Sequence, residues 1–424
     1  MRKLLYIVLD GLGDRPIKEL SNKTPLAAAR TPNMDALAPS GKMALVHTVG
    51  KGIAPESDIA VISILGYDAH KCYTGRGPLE SFAEGLEVKD GDLAYRVNFA
   101  TLGDGRKIID RRVGRNLTTE EATVLSKEIN EKVKLTDAAF RFKNSVGHRG
   151  VLTIRSNKTP LSSEVTNTDP AYGKEGVFGV ALTEFENLVK QCEPTPEGAG
   201  LKGAIEAARL TNEFVEKSSI ALNDSEINKK RIKEGKLSGN VILTRDGGDR
   251  LPEFPSIKEK FNLKMGCFVE MPVERGIALL TGMDIVELPL PSGDLEKDYT
   301  LRADKVIDAM EVYDSLYIHI KGPDEPAHDG NYRKKVESIE KIDRHFLGNL
   351  IPRITIKDTI IAITADHSTP CGIKAHSADP VPFVMLGGKI KGDGLLSFSE
   401  STCKSGSIGE LMGNQIMDLL VKQL

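Results

Sequence analysis

Leu4-Leu5-Tyr6-Ile7-Val8-Leu9 is a continuous apolar run with no alternation, the pattern of a strand buried on both faces of a parallel sheet. The same texture returns in Ser315–Ile320 and in Thr359–Ala365, with shorter runs at Ala44–Val49, Val241–Leu243, Gly266–Val269 and Pro382–Leu386. Between them the period changes. Val336, Ile339, Ile342 and Phe346 recur at helical spacing and predict a long helix from about Asn331 to Leu350, and Ile408–Leu424 predicts a closing amphipathic helix. Thr31-Pro32 reads as a capped helix start. A further helix follows Ile53-Ala54-Pro55-Glu56-Ser57-Asp58, with Pro55 in its first turn and Ile59, Ile62, Ile64 and Leu65 behind it. Strands alternating with helices imply an α/β fold built on a mostly parallel sheet flanked by helices.

From about Ala83 to Ser238 the chain is richer in charge and turn signals. Two alternating runs, Ala94–Leu102 and Val151–Arg155, predict strands. Thr118-Thr119-Glu120-Glu121 is a capping-box pattern opening a helix toward Val133. A second helix, about Leu201 to Leu222, carries Ile205, Ala208, Phe214 and Val215 on its expected apolar face, after a linker-like break at Pro194–Gly198. Residues 83–238 therefore read as a smaller α+β domain inserted into a larger one made of 1–82 and 239–424.

At 424 residues the chain is long for one core, in keeping with two units. A net charge of -3 disfavours a partner such as nucleic acid or anionic lipid. Five scattered cysteines form no C-x-x-C pair, which indicates neither a disulfide framework nor a thiolate metal site and suits a reducing, cytoplasmic setting. The basic start before Leu4–Leu9 imitates a signal peptide, but the apolar run is short and Asp10 interrupts it; no run is long enough to span a bilayer.

Three of the apolar strands end in an aspartate: Asp10, Asp324 and Asp366. In an open parallel sheet, ligands bind beyond the carboxyl ends of the strands, so these residues can converge although they are far apart in sequence. Like charges brought together need a cation. His328 follows Asp324, and His367 and His376 follow Asp366, so that three aspartates, three histidines and Ser57 supply two ligand sets of three or four. Carboxylate and imidazole without thiolate favour Mn²⁺, with Zn²⁺, Mg²⁺ or Co²⁺ as alternatives. Ser57, near a helix start where N–H groups are free, suits an anion and becomes a nucleophile if metal ions activate its hydroxyl.

In this order, Asp10, Ser57, Asp324/His328, Asp366-His367 and His376 resemble the alkaline phosphatase superfamily. Longer stretches, among them Leu9–Pro16, Thr24–Ala29, Ser63–Asp68, Tyr73–Glu80 and Lys321–Gly330, resemble the archaeal-type cofactor-independent phosphoglycerate mutases nearly end to end. The resemblance implies an alkaline-phosphatase-like catalytic domain with an inserted substrate-binding cap that keeps water from a phosphoserine. It implies one metal on Asp10, Ser57, Asp366 and His367, another on Asp324, His328 and His376, and interconversion of 2- and 3-phosphoglycerate in glycolysis and gluconeogenesis without added bisphosphoglycerate. Substrate anions call for cations, and Arg76, Arg111, Arg149, Arg245, Lys264 and His148 are the candidates. Asn167-Thr168-Asp169-Pro170 reads as a turn.

Glu56 stands where the family often has a small residue, and Thr244–Gly248 is more acidic than the usual run. The competing readings are a metal-dependent phosphatase or other phosphomutase on the same scaffold, or a non-catalytic metal- or metabolite-binding homologue. Symmetric self-association is the default expectation for such an enzyme.

Overall fold

The computed structural model describes residues 2–176, 178–182 and 184–424. The chain divides into two compact units, one formed by Met1–Cys72 with Phe254–Leu424 and the other by Tyr73–Glu253.

The first unit is built on an eight-stranded sheet. Its order is Asp284–Ile285, Met265–Phe268, Ser315–Ile320, Lys3–Leu9, Thr359–Thr364, Val381–Leu386, Lys42–His47 and Gly409–Met412. Only Val381–Leu386 runs against the rest. The three central strands, Ser315–Ile320, Lys3–Leu9 and Thr359–Thr364, pair in parallel and in register, so Leu9 lies beside Ile320 and Val8 beside Thr364. Leu4–Leu9, Leu316–Ile318 and Ile360–Ile363 are almost wholly removed from solvent, and burying each such side chain stabilises the fold by roughly 1.5–3 kcal/mol. The register carries the three strand-end aspartates to one edge of the sheet.

The helix after the second strand spans Ser57–Ile64, and Asp58 through Ile64 are all buried. It packs on all sides and has no solvated stripe. Pro55 precedes its cap residue, Glu56, and so stands outside the first turn where the sequence placed it. The helix Pro32–Leu37 lacks a side-chain cap from Thr31. Asp343 serves instead, accepting from Asn33 N at 3.1 Å and Met34 N at 2.8 Å. The long helix begins at Tyr332, changes to π geometry over Ile342–Leu347 and ends in a short α turn. The expected closing helix is instead an edge strand, Gly409–Met412, a 3₁₀ turn and the short helix Ile416–Val421. Gly413 forces that change of direction against the neighbouring segment: a Cβ there would lie 2.1 Å from the Thr48 carbonyl oxygen.

The second unit is an antiparallel sheet. Leu93–Leu102 pairs with Arg149–Ser156, with Val241–Gly248 and, at its end, with Ile108–Asp110; Ala138–Asn144 lies beyond Arg149–Ser156. The helices Thr119–Lys132 and Lys202–Asn223 contribute Leu125, Ile129, Leu210 and Phe214 to the core beneath it. The capping box at Thr118 and Glu121 forms as its pattern requires. Ala208 and Phe214 are buried on the expected face and Val215 packs against it, whereas Ile205 is exposed and Ala207 and Leu210 point inward in addition. Val241–Gly248 belongs to this sheet and not to the parallel one, because its ladder partner is Leu93–Leu102. The unit consequently runs from Tyr73 to Glu253 and is wider than the 83–238 read from texture.

Candidate active site and metal centre

Asp10 follows its strand directly, and Gly11 continues at φ +62° with no room for a side chain: a Cβ there would lie 2.6 Å from Asp324 Oδ1. Glycine is what lets the segment after Lys3–Leu9 approach Asp324 so closely. Gly11 N donates to Asp366 Oδ1 at 3.1 Å. Lys321 Nζ lies 3.0 Å from Asp10 Oδ2 and 2.6 Å from Glu274 Oε1. Each carboxylate therefore has one oxygen tied within the protein and one left over. The leftover oxygens, Asp10 Oδ1 and Asp366 Oδ2, are buried with no hydrogen-bond partner among the described residues. Both face His367 Nε2, at 3.4 and 3.2 Å.

The tautomer of His367 follows from its other nitrogen. Thr369 Oγ1 donates its one hydrogen to Asp324 Oδ1 at 2.7 Å, so toward His367 Nδ1, 3.0 Å away, it accepts. Nδ1 carries the proton and Nε2 presents a lone pair. Ser57 Oγ donates to that lone pair at 3.0 Å. Two orphaned carboxylate oxygens, an imidazole lone pair and a serine oxygen converging in a buried pocket are a donor set that a divalent cation fits.

The second group is more open. His328 Nδ1 lies 3.0 Å from the Lys374 carbonyl oxygen, and His376 Nδ1 lies 2.8 Å from that of Pro55. Carbonyls only accept, so both Nδ1 atoms donate and both Nε2 atoms turn inward, 3.2 Å apart. Asp324 Oδ2 is 3.4 Å from His328 Nε2, and Oδ1 is 3.7 Å from His376 Nε2. Two facing imidazole nitrogens beside a carboxylate also call for a shared positive charge. The two groups adjoin: the His367 and His376 rings stack with centroids 3.7 Å apart.

The electrostatics reflect this crowding. Burial, reinforced by Asp10, pushes Asp366 up to about 7. Burial also lowers His367 and His376, which favours their neutral, electron-donating form. For Asp324 burial works upward, but the His328 hydrogen bond and the surrounding imidazoles hold it well below the carboxylate range. His328, hydrogen-bonded to Asp324, is raised to about 9. Burial opposes the charge on Lys321, yet Glu274, Asp10 and Asp366 outweigh it and raise the ammonium. Glu56 is half exposed, with its carboxylate 3.9 Å from His376 Nδ1.

A family model for 2,3-bisphosphoglycerate-independent phosphoglycerate mutase matches residues 38–228. The enzyme of that name from Aeropyrum pernix is 42% identical over 418 residues, covering 97% of this chain and 96% of its relative. The chain belongs to the 2,3-bisphosphoglycerate-independent phosphoglycerate mutases. These are isomerases. The mutase of Thermococcus kodakarensis is 39% identical over 421 residues, covering 99% of this chain and 97% of its own. Among solved structures, the cofactor-independent phosphoglycerate mutase from Thermoplasma acidophilum is 31% identical, with a TM-score of 0.66 over 100% of this chain and 99% of its own. The PH0037 protein from Pyrococcus horikoshii gives 0.79 at 31% identity, over 100% and 97%.

Of the cationic candidates in this mutase, Arg76, Arg111, Arg149, Arg245 and His148 lie in the second unit. Arg111 makes a two-pronged contact with Asp169, Nε to Oδ1 and Nη2 to Oδ2, both at 2.8 Å. Arg245 reaches the same carboxylate at 3.2 Å and stacks 4.4 Å from the Tyr172 ring centroid. Asp169 is thus the fully buried organiser of two arginines, a role beyond the turn that its sequence suggested. Glu80 does the same for Arg76 at 2.8 Å and Arg96 at 3.0 Å, and Asp246 holds Arg96 at 3.1 Å. Four guanidinium groups share three carboxylates. Arg149 is exposed, and its guanidinium makes no hydrogen bond or ion pair among the described residues.

Lys264 is not part of either cluster. It precedes the strand Met265–Phe268 and lies 5.0 Å from the Tyr313 ring centroid, at the amino ends of the parallel strands and so opposite the aspartates. Glu274 and Thr369, both buried, and the partly buried Lys321 and Arg96 give no signal in the sequence, because each lies inside an ordinary helix, strand or loop pattern and acquires its partners only on folding. Among the described residues, no helix is long and apolar enough to cross a membrane.

Proposed function

We propose that this protein interconverts 2-phosphoglycerate and 3-phosphoglycerate through a phosphoserine at Ser57. The observation that carries the reading is the convergence of Asp10, Asp324 and Asp366 from three strand ends beside a serine 3.0 Å from His367 Nε2 at a helix start. One divalent ion would be held by Asp10, Ser57, Asp366 and His367, and a second by Asp324, His328 and His376, with Mn²⁺ best suited to the oxygen and nitrogen donors. When bound, such ions neutralise charge on a serine oxygen and on the transferring phosphoryl oxygens.

The chain's own residues do the rest. The start of Ser57–Ile64, the positive end of the helix dipole, favours an anionic phosphoryl group beside the nucleophile. His367, kept neutral with Nδ1–H held by Thr369, presents its Nε2 lone pair 3.0 Å from Ser57 Oγ, so that both atoms are offered to the same ion. The phosphoryl group leaves the substrate oxygen as its bond to Ser57 Oγ forms. The proton given up by Ser57 Oγ goes to the freed substrate oxygen; the phosphoryl group then passes from Ser57 Oγ to the other glycerate hydroxyl, whose proton returns to Ser57 Oγ. Arg76, Arg111, Arg149 and Arg245 bind the carboxylate and phosphate of the substrate, with Arg149 free to do so without first breaking an ion pair. Asp169 and Glu80 set the angles of the other guanidinium groups. The second unit acts as the substrate-binding cap.

Phosphorus NMR of 3-phosphoglycerate with Mn²⁺-loaded protein, and no bisphosphoglycerate, tests the proposal. Growth of the 2-phosphoglycerate signal to an equilibrium ratio is expected. Inorganic phosphate in its place would make the protein a phosphatase on the same site, and an unchanged spectrum would sink the mutase reading.

A further inference from the structure

Thr369 occupies a position that none of the foregoing roles requires. It is fully buried, and each of its polar groups is used. Its N–H donates to the Gly13 carbonyl at 3.0 Å. Its carbonyl accepts from Lys335 Nζ at 3.0 Å, and that ammonium also holds the Gly13 carbonyl and Asp14 Oδ2, each at 3.0 Å. The backbone of Thr369 is therefore fastened to the loop that carries Asp10. The hydroxyl, fixed by this backbone, accepts from His367 Nδ1 and donates to Asp324 Oδ1. His367 belongs to the buried donor group, whereas Asp324 belongs to the open one.

We infer that Thr369 is a positioning residue that ties the two metal groups into one unit, setting the tautomer of His367 and the orientation of Asp324 with a single hydroxyl. The inference rests on the two-metal reading above. A hydroxyl with one hydrogen can satisfy both neighbours only in this direction, so losing it has two simultaneous effects. His367 Nδ1–H loses its acceptor, which removes the bias toward the tautomer that presents Nε2. Asp324 loses the donor that holds Oδ1, leaving the carboxylate free to turn away from the two imidazoles. A neighbour acting on one group alone would weaken one ion only. Partners that orient metal ligands typically change affinity by about 10–100-fold.

The test is a Mn²⁺ titration of the metal-free full-length protein, read by calorimetry and by the electron paramagnetic resonance signal of free Mn²⁺. Wild type is expected to bind two ions per chain. Thr369→Val, nearly equal in shape but without the hydroxyl, is expected to weaken both ions by about 10–100-fold, while Thr369→Ser stays near wild type. Circular dichroism and melting of the metal-free proteins verify that each variant is folded. Val binding both ions as wild type does, loss confined to one ion, or Ser failing along with Val would each overturn the inference while leaving the two-metal reading intact. Absence of Mn²⁺ binding by wild type would overturn the two-metal reading and this inference with it.

Discussion

Ser57 and Arg149 make separable predictions. Ser57→Ala should abolish phosphoryl transfer while leaving the fold and the binding of phosphoglycerate in place, since Ser57 supplies an oxygen and no packing. Turnover above a few per cent of wild type would rule out the phosphoserine route. Arg149→Ala should raise KM by roughly 10–100-fold with a smaller effect on kcat, the loss of one charge-assisted hydrogen bond. Steady-state kinetics distinguish this from a bystander, for which KM would not move. The sequence places Asp10, Asp324 and Asp366 at strand ends, and the fold brings them together with Ser57, His328, His367 and His376, because the ends of neighbouring parallel strands meet whatever the loops do. Asp169 was not legible. An Asn-Thr-Asp-Pro run makes a turn in most settings, and only the folded strands bring Arg111 and Arg245 to it.

Continuous apolar runs announced the central strands of the first unit, but such a run says that a strand is buried without saying beside what. Val241–Leu243 has the same texture as the parallel strands, yet it pairs with Leu93–Leu102 in the other sheet. The helix Leu295–Val312, with buried Tyr299, Ala303 and Val306 scattered among charges, gave too weak a period to be read. At this scale the ion pair between Lys335 and Asp14, at 3.0 Å with both side chains buried, is a sharp test of how the long helix is attached. Lys335→Met should cost about 3 kcal/mol or more, because it leaves a buried carboxylate without its cation. A urea midpoint unchanged from wild type would show the pair to be dispensable. Thr118→Ala removes half of the capping box and should cost only about 1 kcal/mol.

For the molecule as a whole, pH offers a measurement that the individual contacts do not. Burial, followed by the positive charges of Arg149, Arg112, Arg245 and Arg115, pushes His148 down to about 4. In the unfolded chain it titrates near pH 6.5. Between those values the unfolded state binds a proton that the folded state refuses, so stability present above about pH 6.5 is lost as pH falls toward 4. Urea unfolding of wild type and His148→Gln at pH 7.5 and 5 should show a smaller loss in the variant. Equal losses would mean that other groups set the acid limit.

The parallel pairing of Lys3–Leu9 with Ser315–Ile320 and Thr359–Thr364 also places the chain's birth on the ribosome under an unusual constraint. Lys3–Leu9 is made well before either neighbour, since both emerge only after the whole intervening unit. Ser57 must wait for His367, 310 residues later. A central strand without partners is an open edge, and pairings so distant in sequence close slowly. A nascent chain that stops short of Thr359 therefore carries this strand with one side unpaired, and the edge bearing the three aspartates closes only once Thr359–Thr364 and His376 have been made.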